Sequence, residues 1–198
     1  MCTPETYSIW LEAAYCLFAE KGPENFSIKE VAKKCGLPRT NFYYYFDSKD
    51  DLLDKIIDLH FQSTAEIFNV ELSKSLNVFI PDLYEQIYAF KLGIQFAKNL
   101  FKHRDISRYN EAHIKGVALS ADLIIPKFKA YFNINLPDDQ VKQLWFTLTD
   151  TWYSRLSFNN YSVDYLCELC HEIMASILPL IELANKKDNK LRFVDTPV

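Results

Sequence analysis

Apolar side chains recur along this chain at spacings of three and four, and nowhere does an apolar/polar alternation of period two persist. That spacing puts one face of a helix, not of a strand, against a core. The fold class expected is therefore all-α. The first helix opens at Thr3-Pro4-Glu5, a hydroxyl cap followed by proline at the first helical position and an acid in the first turn. It carries Ile9, Leu11, Ala13 and Phe18 on its apolar stripe and closes at Gly22. Ser27, with Glu30 three places on, forms a capping box ahead of a short helix whose apolar positions are Ile28, Val31, Ala32 and Cys35. Gly36 ends it, and Pro38, which has no N–H to leave unpaired, suits the opening of another helix over Arg39–Phe46. Ser48 with Asp51 then caps a longer helix carrying Leu53, Ile56, Ile57, Phe61, Ala65 and Phe68. From about Asn69 to Pro81 the periodicity blurs into a connection. Helical patterns resume over Asp82–His103, Asp105–Val117, Ser120–Phe132, Pro137–Phe158 and Ser162–Ala184. This pattern divides the chain into a three-helix head (1–47), a helical-bundle body (48–185) and a charged, flexible C-terminal tail (186–198).

Two short helices around a glycine-containing turn make a helix-turn-helix, whose second helix enters the major groove of duplex DNA by its N-terminal end. The side chains of the second helix divide accordingly. Phe42 and Phe46, four apart, share an inward face. Arg39, Thr40 and Asn41 lead the helix toward base edges, where arginine holds guanine O6 and N7 and asparagine holds adenine N6 and N7. Tyr43 and Tyr44 carry hydroxyls at a radius suited to phosphate oxygens, and Ser27 and Lys49 flank them with a hydroxyl and a charge. The plainer account of the tyrosines is that they are half-buried aromatics. Between Ser27 and Lys49 there are five basic residues (Lys29, Lys33, Lys34, Arg39 and Lys49) against Glu30 and Asp47. The whole chain has a net charge of −4, so any attraction to phosphate is local to this stretch.

Scarce glycine, only 4 in 198 residues, leaves no phosphate-cradling loop or nucleophile elbow, and no His-Glu metal motif occurs. No enzyme chemistry and no catalytic residue are expected. Asp138 and Asp139 read as a helix-start pair, not an acid/base pair. No N-terminal leader pattern and no run of eighteen apolar residues occurs, so a cytoplasmic protein with no membrane partner is expected. The 5 cysteines, an odd number at uneven spacing, fit reduced thiols. Cys167, Cys170 and His171 match C-x-x-C-H, so a haem- or metal-binding sensor or electron carrier is the alternative function. The motif lies inside a helical pattern without a fourth ligand, and neither cofactor nor metal is expected.

The body is rich in aromatics at helical spacing. Tyr88, Phe96, Tyr109, His113, Phe128 and Trp145 are the candidates for lining a small-molecule cavity, with His113 or Arg108 available to a polar or anionic ligand. Two apolar stripes, Leu144–Leu148–Trp152 and Leu166–Cys170–Ile173–Ile177, face either a two-fold mate or their own core.

The run from Phe26 to Leu53, with its Ser-Ile-Lys-Glu-Val-Ala start, Gly36 turn, Phe-Tyr-Tyr-Tyr-Phe helix and Ser-Lys-Asp-Asp-Leu-Leu continuation, closely resembles the DNA-binding head of TetR/AcrR-type transcriptional regulators. The resemblance reaches back through Gly22, Phe18, Ala14 and Ala13 to Ile9, about the first quarter of the chain. It departs from the family pattern at Pro38, Asn41 and Tyr45. The resemblance implies a homodimer on a palindromic operator in double-stranded DNA, with the subunits joined through the last two long helices. It also implies transcriptional repression relieved by a small-molecule effector, of unknown identity, that enters the body and shifts the Ser48–Asn69 helix.

Overall fold

The structure, a computed structural model, describes residues 4–192 apart from the side chains at 68, 69, 71 and 183–192. Among the described residues the elements are all helical. Helix α1 (Pro4–Lys21) buries Trp10, Ala14, Tyr15, Leu17, Phe18 and Ala19. Of the expected stripe Phe18 is fully buried and Leu11 and Ala13 pack partly buried against the head core, and only Ile9 faces outward. Ile9 is 44% exposed, because the large rings at 10 and 18 take the core. Gly22 ends α1 at φ 70, a left-handed conformation that costs glycine little.

Helix α2 (Ile28–Cys35) begins as its sequence dictates: the Ser27 hydroxyl accepts from the Glu30 amide at 3.2 Å. It stops at Gly36, also at φ 70. Pro38 then leads into α3 (Arg39–Tyr44), a 3-10 helix rather than the α-helix expected over Arg39–Phe46. The Asn41 and Tyr45 amides reach back three residues, to Pro38 and Phe42. Phe46 lies just past this segment, where its amide reaches back four residues to the Phe42 carbonyl, and both rings enter the core, 0% and 2% exposed. Helix α4 (Lys49–Glu66), capped by Ser48 on the Asp51 amide, passes into wider π-type turns at Ile67–Leu72. Its buried register is Leu52, Leu53, Ile56, Ile57, His60 and Thr64, so two polar side chains lie on the apolar stripe.

The body follows with α5 (Asp82–Ala89), α6 (Lys91–Lys102), α7 (Ser107–Tyr131), α8 (Asp138–Arg155) and α9 (Val163–Arg192). Two boundaries differ from the expected ones. The stretch from Asp82 to His103 breaks at Phe90, whose ring folds back over Gly93, where a Cβ would overlap it. The stretches Asp105–Val117 and Ser120–Phe132 are instead one helix, because the Ser120 hydroxyl donates to the Val117 carbonyl and stays within the turn. Helix α9 runs on to Arg192, into the segment expected as a tail, and residues 193–198 lie outside the described part of the chain.

One apolar cluster fills the head and another the body. The head cluster draws Phe96 and Leu100 from α6 and Tyr109 and Ala112 from α7, so the head packs on body helices. Leu148, Trp152, Leu166, Cys170 and Ile173 all belong to the body cluster. The two stripes on α8 and α9 therefore face their own subunit, and neither forms an outward seam for a mate. No described helix is long and apolar enough to cross a membrane.

Candidate nucleic-acid interface and cavity

The head presents a polar tip on a rigid aromatic base. Phe42 packs edge-on against Trp10 with ring centroids 5.5 Å apart, and Phe46 stacks on Tyr7 at 5.3 Å. With those rings fixed, Arg39 and Thr40 are exposed, Asn41 is half-buried, and Tyr43 and Tyr44 are 58% and 71% exposed. The tyrosines at 43 and 44 are thus solvent-facing, not half-buried. Lys49 is exposed with its ammonium 5.8 Å from the Phe26 ring centroid. Ser27 is half-buried and already engaged as the cap of α2, though its hydroxyl proton stays available to an acceptor. Among the other basic residues, Lys34 is paired with Glu20 at 2.8 Å, while Lys29 and Lys33 are exposed on α2.

Between α4, α5, α6, α7 and α8 lies a cavity of about 100 Å³. His60 and Thr64 reach it from α4, Tyr84 from α5, His113 from α7, and Trp145 and Trp152 from α8. Of the six residues expected to line such a space, His113 and Trp145 do. Tyr88 is 47% exposed and stacks on Tyr161. Phe96 and Tyr109 belong to the head cluster, and Phe128 packs against Phe79 and Phe132 in the body core. His113 is hydrogen-bonded to Asp150 at 2.8 Å. Arg108 points away from the cavity, to Asp50 at 2.8 Å and Asp54 at 3.3 Å on the first turns of α4. Sequence reasoning missed His60, Thr64 and Trp152 as cavity residues. The signal available was the four-residue register Ile56, His60, Thr64, in which polar groups occupy apolar positions.

His60 also faces the head. Its Nδ1 is hydrogen-bonded to the Tyr15 hydroxyl at 2.9 Å, and its ring stacks on Phe96 at 4.6 Å, which in turn stacks on Tyr15 at 4.6 Å. Burial pushes the imidazole down to about 4, so it is neutral at physiological pH. A second tie joins α6 to the end of α1: the Asn99 amide donates to the Phe18 and Ala19 carbonyls, each at 2.9 Å. The Phe18 carbonyl also accepts from the Gly22 amide at 2.9 Å, whereas that of Ala19 lies in the last turn of α1, where the helix has no further residue to satisfy it.

Residues 11–56, the stretch that builds this head, match the profile of bacterial regulatory proteins of the tetR family. The chain is 24% identical over 156 residues to the Staphylococcus aureus biofilm operon icaADBC HTH-type negative transcriptional regulator IcaR, covering 75% of this chain and 83% of that one. A tetR-family transcriptional regulator from Streptomyces coelicolor superposes with a TM-score of 0.61 at 16% identity, over 100% of this chain and 92% of that chain. A TerR/AcrR-family regulator from Aquifex aeolicus VF5 gives 0.58 at 18% identity, over 87% and 99%.

The head is that of a tetR-family regulator. In this regulator the C-x-x-C-H motif is structural, and the haem or metal alternative falls on geometry. Cys170 is 0% exposed beside Tyr84, with its thiol pushed up to about 11 by burial. His171 lies on the outer face and is hydrogen-bonded to the Tyr131 hydroxyl at 3.0 Å. Spacings of three and four bring positions 167, 170 and 171 to one side of α9, but Cys170 turns into the core while His171 stays exposed on Tyr131, so the three side chains do not meet. Among the described residues no group of three His, Cys, Asp or Glu side chains is placed to hold a metal.

Proposed function

We propose that this regulator binds duplex DNA as a homodimer. The Arg39–Tyr44 helix of each subunit enters one of two major grooves about 34–36 Å apart on a roughly palindromic operator. Transcription is repressed there, and the protein is released when a small molecule fills the cavity. The observation that carries this reading is the division of α3: Phe42 and Phe46 are locked into the core while Arg39, Thr40, Tyr43 and Tyr44 face solvent together. Arg39, Thr40 and Asn41 read bases; Tyr43, Tyr44, Lys49 and the Ser27 hydroxyl hold phosphate. A relative that is a negative regulator favours repression.

With the two stripes turned inward, the surface left for a second copy is the outer face of α8 and α9. It includes Thr147 and Ser154 on α8, and Ala175, Pro179 and Leu180 on α9, the last 64% exposed. Helix α4 connects the two ends of the mechanism. Lys49 at its start flanks the reading helix, and His60, about 16 Å further along its axis, walls the cavity. An occupant that favours a different position of α4 shifts the spacing of the two heads, provided it binds the released arrangement more tightly than the DNA-bound one.

The test is selection of fragments bound by the full chain from its source genome, followed by footprinting. A protected inverted repeat, lost with Arg39→Ala, is expected. Retention of no fragment above random DNA at physiological salt would overturn the reading.

A further inference from the structure

We propose that the effector is an uncharged, predominantly apolar molecule about the size of a single ring, bearing at least one acceptor for a hydrogen bond donated by Trp145 Nε1, Trp152 Nε1 or Thr64 Oγ1. This rests on the reading of the cavity as the effector site, and it specifies the ligand that the site selects.

Charge decides the first part. No Asp, Glu, Lys or Arg is among the residues that wall the cavity. The two imidazoles offer no free charge either, and burial raises the Tyr84 and Tyr153 phenols, keeping them neutral. His60 is held neutral by burial, and His113 is already bonded to Asp150, which is not among the residues that wall the cavity. A charged effector would lose its hydration and meet no counter-charge, and such burial is strongly unfavourable.

Unmet hydrogen bonds decide the second. Trp145 Nε1, Trp152 Nε1 and Thr64 Oγ1 are buried and have no hydrogen-bond partner. The three residues are 7%, 5% and 5% exposed, and all wall the cavity. Buried polar groups are almost always paired, so three unpaired ones around one space mark a missing partner. Two are indole N–H groups, which only donate; the common requirement on that partner is therefore an acceptor.

Size decides the third. A cavity of about 100 Å³ is somewhat smaller than the roughly 150 Å³ engineered cavity that holds benzene. A fused polycycle would have to force the surrounding helices apart.

Four probes of one shape separate these requirements: acetophenone (neutral, acceptor), ethylbenzene (neutral, no acceptor), benzoate (anion) and benzylammonium (cation). Binding to the full chain is followed by calorimetry and by quenching of tryptophan fluorescence. Acetophenone is expected to bind at least tenfold tighter than either ion, and tighter than ethylbenzene. Thr64→Val and Trp152→Phe, each checked for an unchanged fold by circular dichroism, are expected to narrow the gap between acetophenone and ethylbenzene. Either ion binding as tightly as acetophenone, or ethylbenzene matching it in the wild type, would overturn the proposal; the wild-type ranking alone suffices if a variant fails to fold. Release of the selected genomic fragment is scored separately. Acetophenone binding in the expected rank order without release upholds the ligand class and refutes the cavity's role as effector site.

Discussion

The hydroxyl of Tyr15 lies 2.9 Å from Nδ1 of His60, a buried hydrogen bond between residues 45 positions apart that ties the scaffold helix of the head to the middle of α4. The same imidazole walls the cavity, so one side chain is shared by the DNA-reading head and the space proposed for the effector.

Tyr15→Phe removes only the oxygen and leaves the stack on Phe96 in place. An unpaired buried ring nitrogen remains, and the expected loss of stability is about 1–3 kcal/mol, read by denaturant unfolding. If the bond also carries the signal, the variant retains its operator at an effector concentration that releases the wild type. Equal stability and equal release would mean that the bond contributes to neither.

Acid should act through the same residue. The folded imidazole titrates near 4 and the unfolded one near 6.5, so protons bind the unfolded chain more readily. The sign follows: this contribution is fully present above about pH 6.5, declines as the pH falls through the interval, and is exhausted below about pH 4. A shift of that size corresponds to roughly 2–4 kcal/mol. Comparing unfolding free energies of the wild type and His60→Phe from pH 7.5 to 4 isolates it, since other groups titrate alike in both. Parallel curves would show that His60 is not the titrating group.

The head was legible because its signals are local. A serine cap, a glycine at φ 70 and a proline each act within a turn, so Ser27, Gly36 and Pro38 mark their boundaries in the sequence itself. The break at Phe90 carries no such mark. It rests on a ring folding over the bare Cα of Gly93, three residues on, with no capping side chain to announce it. The stripes on α8 and α9 are equally apolar whether they meet a mate or their own core, and periodicity does not distinguish the two. Aromatic residues outnumber cavity positions, which is why Phe96 and Phe128 fall in core while Thr64 and Trp152 wall the cavity. His60 and Thr64 stand as the exception: polar residues in an apolar register are readable in advance as buried groups in need of partners.

The exposed tip of α3 makes separable predictions about DNA. Arg39→Ala or Asn41→Ala is expected to cost about 1–3 kcal/mol and to relax preference at one base position. Lys49→Ala is expected to weaken all sequences alike and to reduce the steepness of the salt dependence by about one. Titration of operator variants by fluorescence anisotropy at several salt concentrations distinguishes them. Lys49→Ala altering base preference, or Arg39→Ala leaving it untouched, would reverse the assigned roles.

Gly93 supplies the sharpest test of the cavity wall. A methyl at this position would overlap the Phe90 ring, which also stacks on the His60 ring at 6.3 Å. In Gly93→Ala the phenyl ring must therefore move, and overpacking of this kind costs about 1–3 kcal/mol. Both Phe90 and Gly93 wall the cavity, so the displacement changes its shape while leaving α3, in the head, untouched. The expected phenotype is a regulator with lowered stability and near-normal operator affinity whose release no longer follows the wild-type effector dose. Unfolding, anisotropy and release measured on one preparation check all three. Normal release from Gly93→Ala would place the controlling site outside this cavity, because no ligand held against Phe90 could be indifferent to the movement of that ring.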